Sequence, residues 1–103
     1  EGERVHAFTH FSHVYLDGSS LYTTYLFRIS ADVDETLERW QKLKNSASNA
    51  IVKCSGTISH QHGVGTDHKP YLLAEKGQLG ISAIEDLFKR FDPSGLMNPE
   101  KLV

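Results

Sequence analysis

His13-Val14-Tyr15-Leu16-Asp17-Gly18-Ser19-Ser20-Leu21-Tyr22 sets a turn dipeptide between two runs rich in aromatic and β-branched residues, Arg4 to Leu16 and Leu21 to Ile29. A dipeptide of this kind between such runs is the strongest short-range signal of a β-hairpin. With Asp17 and Gly18 as the two turn residues, Leu16 faces Ser19, Val14 faces Leu21 and His13 faces Tyr22. Facing side chains lie close across an antiparallel pair. Phe11, His13, Tyr15, Tyr22, Thr24, Leu26 and Arg28 then share one face, and His10, Val14, Leu21, Thr23, Tyr25 and Phe27 share the other. A one-residue change in the loop would break the pairing, because a register slip flips faces. An imidazole opposite a phenol reads in two ways, as an aromatic pair that stabilises the sheet or as a proton-handling pair.

Beyond the hairpin, Asp32-Val33-Asp34-Glu35 opens a helix, with Asp32 as its cap and Glu35 at the capping-box position. Val33, Leu37, Trp40, Leu43, Ala47, Ala50 or Ile51, and Cys54 recur at three- and four-residue spacing as one apolar stripe. Glu38, Arg39, Lys42 and Lys44 fall off the stripe and form a solvated face. Trp40 reads as a core anchor on one side of the sheet, and Gly56 stops the helix.

Next comes Gly56-Thr57-Ile58-Ser59-His60-Gln61-His62-Gly63-Val64-Gly65, with two imidazoles and three glycines in ten residues. Such a run buries little apolar surface. Glycine allows backbone to approach a ligand closely, and histidine is the side chain whose proton equilibrium lies nearest neutral pH. The segment reads as a loop that presents ring nitrogens and bare backbone to something bound.

Thr66-Asp67-His68-Lys69-Pro70 reads as exposed loop polarity, with the proline holding the chain extended or turning. Tyr71 to Lys76 forms a helical turn. Leu79, Ala83, Ile84, Leu87, Phe88 and Phe91 mark a second amphipathic helix, ended by Asp92-Pro93. The tail Asp92-Pro93-Ser94-Gly95-Leu96-Met97-Asn98-Pro99 is dense in turn formers. Asn98, preceding a proline, is expected to be extended, with its amide aimed in one direction.

At 103 residues the chain fits one small domain. The formal net charge of −2, with Lys and Arg scattered, gives no nucleic-acid footprint. No apolar run reaches membrane-spanning length. The single cysteine, Cys54, reads as a small buried residue and points to a reducing compartment. A cytoplasmic location is the resulting expectation. The start Glu-Gly-Glu looks like a cut end, so residues 1–103 are expected to be one C-terminal fragment. The fold class is α+β: an antiparallel hairpin packed by an amphipathic helix, then the Gly/His loop, a second helix and an ordered tail. The sheet edge invites pairing with a second copy.

Three segments in this order resemble one family: the Asp-Gly hairpin, Gly-Thr-Ile-Ser-His-Gln-His-Gly-Val-Gly, and Asp-Pro-Ser-Gly-Leu-Met-Asn-Pro-Glu-Lys-Leu. The chain resembles, from about His10 to Val103, the C-terminal part of FAD-linked oxidases of the vanillyl-alcohol-oxidase type. The resemblance implies an FAD-dependent enzyme whose FAD-binding domain lies upstream and is absent from this chain. Hairpin and first helix would belong to its cap domain, and the fragment alone would be inactive.

Two branches compete. In D-2-hydroxy-acid dehydrogenases (glycolate or D-lactate type) the hairpin and a Glu-His-Gly loop supply metal ligands. Here Tyr22 replaces the second hairpin histidine and Gln61 the glutamate. Both are poor ligands for a divalent cation, so no metal is expected. The stronger resemblance is to the alkyldihydroxyacetonephosphate synthase family of ether-lipid biosynthesis, whose loop reads Ser-His-His-His-Gly-Val-Gly after a strand tyrosine. Ser59, His60, His62, Gly63, Val64, Gly65 and Tyr22 match, and Gln61 departs at the middle histidine. The resemblance implies that His62 and Tyr22 handle protons, with His60 and His13 in support, and that Gly63, Gly65 and Asn98 lie near the flavin. The substrate would be a small molecule or lipid precursor. The alternative outside enzymes is a small module that captures a metal or anion on its histidine loop.

Overall fold

Strand β1 (His6–Tyr15) and strand β2 (Gly18–Leu26) form an antiparallel two-stranded sheet in a computed structural model that describes residues 4–103. Helix α1 (Val33–Lys53) and helix α2 (Gly65–Phe91) follow. The α+β arrangement read from the sequence is the one observed.

The hairpin pairs differently from its expected register. Tyr15 faces Gly18, so Leu16 and Asp17, rather than Asp17 and Gly18, make the turn. A β-bulge then falls between Phe11 and His13. Ser12 is the extra residue, and its hydroxyl bonds the Ser20 hydroxyl and the Ser20 carbonyl oxygen. A bulge sets two residues of one strand against one of the other and flips the faces beyond it. The shifted turn therefore sets His13 opposite Ser20, and the bulge sets His10 opposite Tyr22. His10 joins the face of His13, Tyr15, Tyr22, Thr24 and Leu26, while Phe11 moves to that of Leu21.

Helix α1 starts as its sequence suggests, with the Asp32 carboxylate accepting the Asp34 N–H at 2.9 Å. Glu35 does not close a capping box on Asp32. Its carboxylate takes the Ser30 hydroxyl and pairs with Arg39 at 2.7 Å, while the Ser30 hydroxyl accepts the Asp32 N–H at 3.2 Å. Arg39 also donates to the Arg28 carbonyl at 3.1 Å, fastening α1 to the chain leaving β2. Trp40 is half-buried, and Val33 and Leu37 are exposed.

The C-terminal end of α1 is a Schellman turn. Gly56 N–H donates to the Ile51 carbonyl at 2.9 Å and Ser55 N–H to the Val52 carbonyl at 3.0 Å. Ser55 takes the left-handed position at φ 57°, and Gly56 follows it. A Cβ on Gly56 would meet the Ile51 side chain at 3.1 Å, so the glycine serves close approach rather than positive φ. Cys54 lies in this turn, past the end of the helix, and is exposed rather than buried.

His68, Lys69 and Pro70 are helical, contrary to the loop expected for them. Helix α2 takes in Pro70, which lacks the N–H that would bond back to Thr66. It kinks at Gly77, where φ 66° and ψ 171° interrupt the helical geometry. The helix ends at Phe91 as read, with Asp92 N–H bonded to the Phe88 carbonyl at 2.7 Å. Asp92 then folds the tail: its carboxylate accepts the Met97 N–H at 2.7 Å and its carbonyl the Gly95 N–H at 3.0 Å. Asn98 is left-handed at φ 47°, not extended. Asparagine tolerates that region, and the Asn98 carbonyl accepts the Lys101 N–H at 3.3 Å across the turn so formed.

Two compact units arise, one running to Leu43 and the other Lys44–Val103. In the second, Ile58 and Leu72 are buried, 6% and 3% exposed, and so is Ser48. Among the described residues no helix is long and apolar enough to cross a membrane.

Candidate functional site

The hairpin unit carries Tyr22 and His13. Tyr22 is exposed on β2, and the ring stacked on it belongs to His10, with centroids 5.4 Å apart and planes 28° from parallel. His13 is on the same face, stacked with Tyr15 at 6.2 Å, and its Nδ1 lies 3.2 Å from the Ser12 hydroxyl. The bulge thus sets one imidazole directly across from the phenol and a second diagonally beside it. His10 escaped the sequence reading because only the bulge at Ser12 puts it there.

The other unit carries His60, His62, Gly63, Gly65 and Asn98. The loop turns tightly: the Ser59 hydroxyl donates to the His62 carbonyl at 3.0 Å, and Gln61 stands at φ 62°. His60 and His62 are exposed. Gly65 has φ 59°, a conformation that favours glycine. Gly63 does not, and a Cβ added there would meet nothing within 4 Å. The chain's own packing therefore gives Gly63 no reason to be glycine.

Both ends of the loop are tied to α2. Glu75 Oε2 accepts the Ile58 N–H at 3.0 Å, and His68 Nδ1 donates to the Val64 carbonyl at 3.1 Å. The Glu75 carboxyl is held below its ordinary value by the ammonium of Lys76 at 2.7 Å, then by the Ile58 N–H, against a smaller opposing effect of burial. Lys69 Nζ donates to the Glu100 carbonyl at 3.4 Å, bringing the tail that carries Asn98 to the N-terminal part of α2. Beside the loop root, Gly56, Thr57, Ile58, Tyr71 and Glu75 line a cavity of about 230 Å³. Tyr71 closes toward α1 through its hydroxyl, 3.1 Å from Asn45 Oδ1.

The arrangement offers exposed ring nitrogens on a braced turn with open backbone beside them, and a phenol flanked by imidazoles on a strand. Chemically these groups can donate, accept and transfer protons.

Comparison with protein families matches residues 2–102 to "FAD linked oxidases, C-terminal domain". The chain is 33% identical over 95 residues to an alkyldihydroxyacetonephosphate synthase of Trypanosoma brucei brucei, covering 91% of this chain and 15% of that protein. It is 30% identical over 94 residues to the alkyldihydroxyacetonephosphate synthase of Dictyostelium discoideum, with the same coverage on both sides. It is also 32% identical over 68 residues to the glycolate oxidase subunit GlcD of Bacillus subtilis (strain 168), covering 66% of this chain and 14% of that protein. No solved structure matches. The chain thus spans about 15% of the length of the curated relatives it matches. With nearly its whole length matched, this chain belongs to the family of FAD-linked oxidase C-terminal domains.

Proposed function

We propose that this chain is the substrate-side, C-terminal part of an FAD-dependent enzyme resembling alkyldihydroxyacetonephosphate synthase, and that the FAD-binding domain lies in sequence outside it. One observation carries the reading. The turn Ser59-His60-Gln61-His62-Gly63-Val64-Gly65, exposed from His60 to Gly63, is braced at both ends, in a chain about 30% identical to two such synthases over 91% of its length.

The residues present suit a flavin at this loop. Gly63 leaves backbone uncovered where the chain itself demands no glycine, as a loop does when a planar group must come close. When bound, the flavin would supply the redox or covalent step. The protein's part is proton handling and orientation. His62 is assigned the proton transfer next to the flavin, since an exposed imidazole on a braced turn suits general acid–base work. Tyr22 is assigned the second proton-handling role, as a donor to a substrate oxygen. His60 supports His62, and His13 supports Tyr22. Gly65 and Asn98 would shape the flavin side.

A second reading is a D-2-hydroxy-acid dehydrogenase, favoured by the 32% identity to a glycolate oxidase subunit. Tyr22 and Gln61 stand against it, because neither is a good ligand for the divalent cation expected in that branch.

The test uses the intact protein's visible flavin spectrum under anaerobic conditions. A spectrum unmoved by D-lactate and glycolate, but altered by an acyl dihydroxyacetone phosphate, is the expected result. Bleaching by a D-2-hydroxy acid would replace it with the dehydrogenase reading. An intact protein without any flavin would overturn both.

A further inference from the structure

We propose that one face of α2, made by His68, Leu72 and Glu75, brackets the imidazole loop and fixes where His60 and His62 stand, so that His68 and Glu75 are positioning residues. The three follow the i, i+4, i+7 spacing of a single helix face. At the loop's start Glu75 accepts the Ile58 N–H at 3.0 Å. At its end the Val64 carbonyl accepts the His68 Nδ1–H at 3.1 Å. Leu72, which falls between His68 and Glu75 along the helix, and Ile58, whose N–H is the first anchor, are the buried apolar residues of the described chain. The Ser59-to-His62 hydrogen bond closes the turn inside the bracket.

The two anchors differ in chemistry. Glu75 is an anion steadied by Lys76, and an ionised acceptor makes the stronger kind of hydrogen bond. At His68 the partner fixes the tautomer. A carbonyl oxygen can only accept, so Nδ1 carries the proton, and Nε2 is left to accept from Lys44 Nζ at 3.2 Å. A lysine of α1 thereby holds the ring in the form that grips Val64.

The bracket has something to restrain. Gln61 at φ 62° is a non-glycine residue in the left-handed region, a conformation that persists only where its surroundings impose it. Loops carry function when a scaffold positions them, and misplacement of a reacting group by an ångström can cost about a hundredfold in rate. The bracket itself stands on geometry, and its bearing on chemistry rests on the flavoenzyme reading above.

Hydrogen-exchange mass spectrometry on the intact protein tests the geometry. E75A should raise exchange in the peptide covering residues 57–64 by roughly tenfold or more, since a buried-end amide loses a charged acceptor. Peptides of β1 and β2 should be unchanged. E75Q, whose amide oxygen can still accept the Ile58 N–H, should restore most of the protection. H68F, which keeps ring bulk without the donor, should loosen the same peptide from its other end. Unchanged loop exchange in both E75A and H68F overturns the bracket, as does an equal rise across the whole chain in E75A and E75Q alike.

The same variants test positioning. The rate of flavin absorbance change with an acyl dihydroxyacetone phosphate should fall in E75A and recover in E75Q, with the half-saturating concentration unmoved. A loosened loop with an unaltered rate overturns the positioning role. Failure of the underlying reading would look different: wild-type flavin would not respond to that probe at all, while the exchange pattern held.

Discussion

The imidazole of His10 stacks on the phenol of Tyr22, ring centroids 5.4 Å apart, across a hairpin whose bulge sets them opposite one another. The pair is exposed, so either side chain can be changed with little loss of fold. Y22F keeps the stack and removes only the hydroxyl. Under the proposed function it should slow the flavin response by about a hundredfold or more while leaving thermal stability within about 0.5 kcal/mol, the usual range for a surface change. H10A should cost hairpin stability of about 0.5–1 kcal/mol, the worth of a cross-strand aromatic pair. Parallel melts and stopped-flow traces read both. A Y22F protein with wild-type rates removes Tyr22 from the chemistry and leaves the pair as sheet stabilisation.

His62 and His60 separate by the same logic. Both rings are exposed on the braced turn, so neither substitution should unfold the unit. H62A should lower the maximal rate by about a hundred- to ten-thousandfold, the range for loss of a positioned acid–base group. H60A, in the supporting role, should lose about tenfold or less. A pH–rate profile on each variant is the measurement. Equal losses, or a larger loss in H60A, would exchange the two assignments.

Gly63 and Gly65 should part company. Gly65 has φ 59°, so G65A forces a side chain into the left-handed region and should destabilise by about 1 kcal/mol. Gly63 has room for a methyl group within the chain. G63A should melt like the wild type and yet bind flavin or substrate more weakly, if backbone is bare there for an incoming group. Melting curves and flavin fluorescence on the intact protein distinguish the two. A G63A variant with normal flavin content and normal rates would take Gly63 out of the site.

Local signals were legible where one residue decides them. Asp32 caps α1, Asp92 follows the end of α2, and the Asp17-Gly18 neighbourhood turns the chain. What escaped depends on contacts distant in sequence. No local pattern announces that Ser12 bulges, because its hydroxyl is satisfied by Ser20 on the opposite strand. The bulge in turn puts His10, rather than Phe11, opposite Tyr22. His68 and Lys69 looked like loop polarity ahead of Pro70, yet a proline early in a helix forfeits one hydrogen bond and the helix forms around it. Once that stretch is helical, His68, Leu72 and Glu75 fall on one face, and the loop's anchors become visible. The residues proposed for the site stand out in the sequence as types: imidazoles between glycines, and a phenol on a strand. Their supports were not.

The start of α1 should weaken in acid, and the direction follows from Glu35. Its carboxyl lies below its ordinary value of 4.5, first because the Ser30 hydroxyl donates to it, then because Arg39 donates and sits beside it as a cation, with burial opposing weakly. A carboxylate lowered on folding stabilises the native state at pH above its unfolded value, and that contribution is lost as pH falls through the lower folded value. The fastening of Ser30, Arg39 and the Arg28 carbonyl should therefore hold at neutral pH and fade below about pH 4.5. E35Q should flatten that part of the acid limb by lowering the neutral-pH melt toward the acid value while leaving the melt in acid nearly unchanged, and the difference should be small and shrink in salt, because exposed pairs contribute little and are screened. Melting temperature against pH for wild type and E35Q, at low and at high salt, is the measurement. An acid limb identical in the two proteins would show that Glu35 does not couple this helix start to pH.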